Sequence, residues 1–455
     1  MREARLGDVV SSMKNGMYKP ASEYADDGMP CLRMYNIEAG SIVWRDIKRM
    51  RVSPQEYADY GLLEGDLLVN RVNSRELVGK AAVIPATLEP SVFESKNIRV
   101  RLDTSKALPK FINYQLFARG SKHFANNAQQ VVGMASISQG QLADFPIVLT
   151  DVDEQREVVA EIEKQFSRLD EAVANLQRVK ANLKRYKAAV LKAAVEGRLV
   201  ETEATLAHRE GRTYETGEQL LQRILDERRA KWKGRGKFSE PDTPVAPETL
   251  PIPDGWCISA IPQIATIASG NTPAGILDLV KREGDVPWFK VGDMNHESNQ
   301  HSMTHADAWL THQQVENLGL RVFPPQTVIF PKRGGAIATN KKRLLSSFCA
   351  CDLNVMGITP FDEVAPYFFL WFESIDLAKL SDGSNIPQIN NKDIAPLIVP
   401  LPPHAEQARI AAEVDRHLSI IREVEGEVDT NLKRAQALRQ ATLAKSFSAS
   451  TALAL

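Results

Sequence analysis

The sequence predicts a mixed α/β (α+β) protein: two globules separated by a pair of long antiparallel coiled-coil helices, with an internal pseudo-twofold repeat. Three observations carry this. The phrase DEQREVVAEIE, starting at Asp153, returns as AEQARIAAEVD at Ala405. Each copy opens a long segment without proline, Asp151 to Glu196 and His404 to Ser448, and only Gly426 interrupts the second. The rest of each half carries short β-rich runs punctuated by Gly, Pro and Asn.

The repeat holds a constant offset of 252 residues, without a gap, from Ile137/Ile389 to about Leu191/Leu443. Solenoid repeats recur every 20 to 50 residues, so this is a duplicated half-protein. The expected organisation is a first globule over 1–150, a first spacer helix over 151–197 and a connecting segment over 198–253. A second globule over 254–402 and a second spacer helix over 403–448 complete it. In the first globule the β-rich runs include LRMYNI, GDLLVN, KAAVI, NIRVRL and DFPIVL; in the second, WFKVGDM, QTVIF, LNVMGIT and APLIVPLP. The globules repeat faintly, LGDVVSSMKNGMYKP against IPQIATIASGNTP and GDLLVNR against PQTVIFPKR.

Apolar residues in the first helix recur at Val159, Ile162, Phe166, Leu169, Val173 and Leu176, then at Val179, Leu183, Tyr186 and Val190. The second offers Ile410, Val414, Leu418, Ile421, Val424, Val428, Ala435 and Leu438. Steps of three and four form a coiled-coil seam, and each stripe needs a partner to bury it. The other copy is the nearest partner of matching length. A helix of about 45 residues is roughly 65–70 Å long and serves as a spacer. In the connecting segment an amphipathic helix is expected near Thr216 to Lys233, capped by Thr216. A basic patch (Lys231, Lys233, Arg235, Lys237) and a proline-rich linker from Pro241 to Pro253 follow.

Composition narrows the class. The 455 residues, 43% hydrophobic and 25% charged with a net charge of −1, suit two to four globular domains. No apolar run reaches the length of a membrane span and the start has no signal-peptide layout, so a cytoplasmic protein is expected. The four cysteines (Cys31, Cys257, Cys349 and Cys351) follow no zinc or disulfide spacing and read as small buried side chains.

Several phrases together resemble the specificity subunits of type I restriction-modification systems. LPIPDGW opens the second half, and VPLPPHAEQARIAAEVD and FPIVLTDVDEQREVVAEIE lead into the helices. LKRYKAAVLKAAVEGRL closes the first helix, and LLQRILDERRAKWKGRGKF follows it. The order of these phrases, over essentially the whole chain, is specific where single fragments are not. Two departures stand out: the first half lacks the Pro-x-Gly-Trp preface, and LAKSFSASTALAL lacks the Glu-Gly of the first copy. The resemblance implies that each globule is a target-recognition domain reading half of a split duplex-DNA sequence, with the helices as a ruler. It implies two methyltransferase subunits using S-adenosylmethionine, and, in complexes that also cleave, two motor-nuclease subunits using ATP and Mg. It implies no catalysis, no cofactor and no membrane contact for this chain.

The residues agree with that expectation. A cofactor loop, an Asn/Asp-Pro-Pro-aromatic motif and a GxxxxGK[ST] loop are all absent from the sequence. His296, His301 and His305 in NHESNQHSMTH read as a polar loop, and no catalytic or metal site is assigned.

Candidate DNA contacts come from loops rich in Arg, Asn and Lys, because Arg pairs guanine, Asn or Gln pairs adenine, and Lys neutralises phosphate. They are Asn70, Arg71, Asn73, Ser74, Arg75 and Lys80 in the first half. The second half supplies Lys332, Arg333, Gly334, Asn340, Lys341, Lys342 and Arg343, and a further loop supplies Asn385, Gln388, Asn390 and Asn391. NNAQQVVGMASIS occupies the matching place of that last loop in the first half. Candidate partner contacts are Glu154, Gln155, Glu406 and Gln407, for which capping of the helix start is the alternative. Two further classes remain open: a coiled-coil scaffold with two protein-binding heads, and a subunit of a methylation-only complex.

Overall fold

The duplicated phrase marks a duplicated junction. Strand Pro146–Leu149 pairs antiparallel with Arg2–Arg5, and Ile398–Leu401 pairs antiparallel with Cys257–Ala260. A long helix follows each junction strand, Val152–Val195 (44 residues) and His404–Ser446 (43 residues). The computed structural model describes residues 1–131, 134–232, 238–245 and 252–447. Lys233, Arg235 and Lys237 of the basic patch, most of the linker after Val245, and the expected helix end at Ser448 lie outside them.

The chain divides into two units, and both helices contribute to each. Met1–Val179 with the later helix from Glu427 forms one unit, and Lys180–Gly426 forms the other. In the first unit Val159 and Ile162 enter the core of the globule with Leu443 and Phe447, and Phe447 meets the edge of Phe111 at 5.3 Å. Arg439 pairs with Asp170 and lies over Phe166, while Thr442 donates to Gln165. In the second unit Tyr186 bonds His417 Nδ1 (2.8 Å), and Val190, Leu191 and Ala194 share a core with Ile410 and Val414. Within each unit the two helices therefore run antiparallel.

Each globule is built on a sheet that is antiparallel throughout in the first and, in the second, antiparallel except where Ser302–Met303 pairs parallel with Arg343–Leu345. In the first, the strand order is Val10–Asn15, Asn97–Leu102, Leu67–Asn70, Ala81–Val83. In the second it is Ala265–Ser269, Val355–Pro360, Val328–Pro331, Arg343–Leu345, Ser302–Met303. The runs GDLLVN, NIRVRL, QTVIF and LNVMGIT are sheet strands. LRMYNI is not one: Met34–Asn36 is a 3₁₀ turn, because the Asn36 side chain accepts from Arg33 N and donates to Val43 O and Arg45 O.

The connecting segment packs onto the second unit. Thr216 caps helix Gly217–Ala230, and Leu220 and Ile224 enter the core beside Trp256 and Leu401. At this junction Glu406 is fully buried, accepting from Glu203 N (2.7 Å) and Trp256 Nε1 (2.9 Å). Glu203 in turn holds Arg409 and Arg212 at 2.6 and 2.5 Å. Gln407 donates to Pro402 O (3.0 Å), and Gln155 makes the equivalent bond to Thr150 O (2.8 Å) while also accepting from Leu108 N (2.9 Å).

The expectation that these residues form an outward docking face is corrected for Gln155, Glu406 and Gln407, at 0%, 0% and 2% exposure. Their amide and carboxylate groups satisfy buried main-chain donors and acceptors that would otherwise be unpaired. Glu154 alone is exposed, bonded to Thr150 Oγ1. Glu406 caps, but the N–H it takes belongs to helix Glu203–Glu210, not to its own helix.

Glu406→Ala would strand two buried donors, each costing about 1–3 kcal/mol. Urea unfolding should show a loss of about 2–5 kcal/mol for Glu406→Ala and less than about 0.5 kcal/mol for Glu154→Ala. Equal effects would contradict the burial asymmetry.

Candidate nucleic-acid interface

In each globule the main chain draws two polar loops together through one residue. Arg71 N donates to Lys96 O (2.8 Å), and Arg71 O accepts from Ile137 N (2.9 Å). Lys332 N donates to Asn354 O (2.8 Å), and Lys332 O accepts from Ile389 N (2.9 Å). The next residues bridge across: Val72 opposite Ser136, and Arg333 opposite Gln388.

The match continues. Gly16 N donates to Asn97 O and Gly270 N to Val355 O, both at 3.0 Å; Met17 N reaches Phe93 O and Asn271 N reaches Cys351 O, again at 3.0 Å. At Gly16 a Cβ would lie 2.1 Å from Glu94 O, and at Gly270 2.3 Å from Cys351 O, so only glycine fits.

One backbone framework thus recurs with different side chains on it. Tyr18, Lys96, Arg71, Val72 and Ser136 in the first globule correspond to Thr272, Asn354, Lys332, Arg333 and Gln388 in the second. Among the described residues, Arg71, Lys96, Lys332 and Arg333 pair with no carboxylate, while Arg75 lies near Glu76 and helps to lower its pKa. The frameworks therefore carry uncompensated positive charge, as a phosphate-rich ligand requires.

Other predicted residues fall around these frameworks. Arg75 is exposed and its Nε donates to Ala125 O, Ser74 is half-buried, and burial lowers the pKa of the half-buried Lys80. Burial, then the neighbouring Arg333, lowers the pKa of Lys332, whose Nζ donates to Ser269 Oγ. Gly334 has φ +77°, Lys341 Nζ bonds Asn295, and Asn340 accepts from Leu377 N. Asn385 and Asn391 are exposed, while Asn390 N donates to Asp393. Within NNAQQVVGMASIS, residues 132–133 lie outside the described residues.

Four predicted contacts are corrected because they are buried. Asn70 donates to Lys96 O and Asn97 Oδ1 and accepts from Asn73, whose own oxygen takes Ser74 N. Lys342, 2% exposed, donates to Glu373 O and Ile375 O, satisfying carbonyls at the end of helix Ala365–Glu373. Arg343 reaches Lys342 O and Met294 O. These polar groups answer internal main-chain demands and have no free edge for a base.

The sequence reading missed Tyr18, Arg33, Tyr35 and Lys96. Ser95 N donates to Met17 O (2.8 Å), which sets Tyr18, 82% exposed, beside Lys96. Met34 N donates to Glu94 Oε1, bringing Arg33, stacked on the 60% exposed Tyr35, to the same edge. Aromatic and basic residues interleave in MYKP and LRMYN, a pattern suited to stacking and phosphate contact. His301 packs edge-on to Phe369 and His296 stacks on His305; among the described residues no three metal-ligating side chains cluster. No described helix is long and apolar enough to cross a membrane.

Residues 253–433 match the family model for the type I restriction modification DNA specificity domain. The MjaIX type I restriction enzyme specificity subunit of Methanocaldococcus jannaschii is 26% identical over 170 residues, 35% of this chain and 37% of that one. The putative MjaX specificity subunit from the same organism is 28% identical over 170 residues, 36% of this chain and 39% of that one. These matches therefore span less than two fifths of either relative. A solved structure concerned with complex assembly and conformational transition of the type I restriction-modification system aligns over 98% of this chain and 97% of that one. At 18% identity and a TM-score of 0.63, it shows a shared fold.

Residues 253–433 therefore carry a type I restriction modification DNA specificity domain. The matched domain contains the Lys332 framework, both second-half polar loops and the buried Glu406 junction.

The burial of Lys342 is testable. Burial holds its ammonium from the ordinary 10.5 down to about 8. Between those values the unfolded chain keeps a proton that the folded chain has lost, so stability rises with pH. Relative to Lys342→Met, the wild-type chain should gain stability by up to about 1.4 kcal/mol per pH unit in that window. Urea midpoints of both proteins at pH 7 and pH 10 measure this; an unchanged gap would remove Lys342 from the core.

Proposed function

We propose that this chain recognises a split duplex-DNA sequence, one half per globule, and directs two copies of an adenine methyltransferase subunit to it. The observation that carries the reading is the repeated backbone framework with unlike, uncompensated basic and polar side chains. Identical geometry with different side chains suits two related ligand segments of different sequence. In this reading Arg71, Arg75, Lys96, Lys332 and Arg333 face DNA, with Ser74, Lys80, Gly334, Lys341, Asn385, Gln388 and Asn391 around them.

The chain itself carries out no chemistry in this proposal. S-adenosylmethionine belongs to the methyltransferase partner, which must turn its adenine out of the stack. Where the complex also cleaves, ATP and Mg belong to two motor-nuclease subunits. The internal repeat supports two copies of one partner, because a twofold surface is offered twice. Glu154, the exposed member of the junction residues, is the remaining partner-contact candidate.

The two long helices act as the spacer between half-sites. Four residues added to both helices lengthen each by about 6 Å. The unread gap should then widen by one or two base pairs, each advancing about 3.4 Å. Single-base mapping of methylated adenines in cells with and without this chain gives the motif and the gap. A split motif present only with the chain, and lengthened by the insertion, is the expected result. Methylation indifferent to the chain would leave a scaffold with two protein-binding heads as the better reading.

A further inference from the structure

We infer that Arg333, held by Gln388, reads a single guanine in the half-site recognised by the second globule. This rests on the DNA-recognition reading above.

The two residues come from separate loops fixed to each other by the main chain. Arg333 forms an antiparallel bridge with Gln388, and Gly334 N donates to Pro387 O (2.8 Å). The Gln388 loop is folded on Asp382, whose Oδ1 accepts from Ser384 N, Ser384 Oγ and Gln388 N at 3.2, 2.8 and 3.1 Å. On this base the side chains meet: Arg333 Nη2 donates to Gln388 Oε1 at 3.3 Å.

That single bond orients the guanidinium and leaves most of its donors free. Arg333 is exposed, and among the described residues it has no carboxylate partner. A Cβ placed on Gly334 or Gly335 would meet nothing within 4 Å, so the space beside the side chain is open. A planar guanidinium with parallel unengaged donors matches O6 and N7 of guanine in the major groove. Gln388 is the positioning residue, since a ligating group held by a second group loses less freedom on binding. In the first globule the same place holds Val72 and Ser136, which cannot form such a pair.

The test is a map of methylated adenines in cells that hold the full chain and its methyltransferase, comparing wild type with Arg333→Ala, Arg333→Lys and Gln388→Ala. One G·C position of one half-site should become degenerate in Arg333→Ala, with preference falling about 10- to 100-fold. Arg333→Lys should not restore it, Gln388→Ala should lose less at the same position, and the other half-site should stay strict. That unchanged half-site also reports a folded chain. If Arg333→Ala fails to fold, Gln388→Ala, at a half-buried loop position, carries the test with the same two outcomes. An unaltered motif overturns the inference, and so does methylation lowered evenly at every site, which marks a phosphate contact. Both results leave the wild-type split motif standing; only its absence in wild type removes the recognition reading itself.

Discussion

The main-chain groups of Arg71 and Lys332 are the constraint on which each globule depends. In both, the amide is tied to the strand-side turn and the carbonyl to the residue that enters the repeated segment, Ile137 or Ile389. Buried main-chain donors and acceptors must be paired, and here the N–H and C=O of Arg71 and Lys332 are paired with main-chain groups. The backbone there is thereby held without depending on the Arg71 or Lys332 side chain. Gly16 and Gly270 close the framework because any Cβ there would collide with a carbonyl. This explains how two globules can share a fold while their sequences match only faintly.

The same residue types serve two opposite roles around this framework. Asn70 and Arg71 are neighbours in sequence, yet Asn70 is buried in an asparagine network while Arg71 carries an unpaired charge at the rim. Lys341 and Lys342 differ likewise: one ends on Asn295 at a loop, the other caps a helix end through Glu373 O and Ile375 O. An amide or ammonium that can bond a base edge can equally bond a buried carbonyl. Only burial distinguishes them, because an unpaired polar group is costly inside and harmless outside.

The two junctions show how a repeat acquires asymmetry. Gln155 and Gln407 make the same bond to Thr150 O and Pro402 O, one residue position apart from Glu154 and Glu406. Glu406 is then covered by Trp256 and the start of helix Glu203–Glu210, while Glu154 has no such cover among the described residues. A carboxylate removed from water persists only if donors replace the water, and Glu203 N with Trp256 Nε1 do so. Burial nonetheless raises the Glu406 pKa, with those two bonds opposing the rise.

By itself the sequence determined the duplication, the two long helices and the β-rich character of the globules. These are local or periodic properties: steps of three and four, the lack of proline over forty residues, and a phrase repeated at fixed offset. It also pointed to the loops around Arg71 and Lys332, because clustered Arg, Asn and Gly is a compositional signal. Tertiary structure alone decided which members of those loops face outward, that Tyr18 and Lys96 join the first framework, and that Glu406 is internal. Each of these depends on contacts between residues far apart in the chain, such as Met17 with Ser95 or Glu406 with Trp256. Burial is set by such long-range packing, and no local pattern of residue types encodes it.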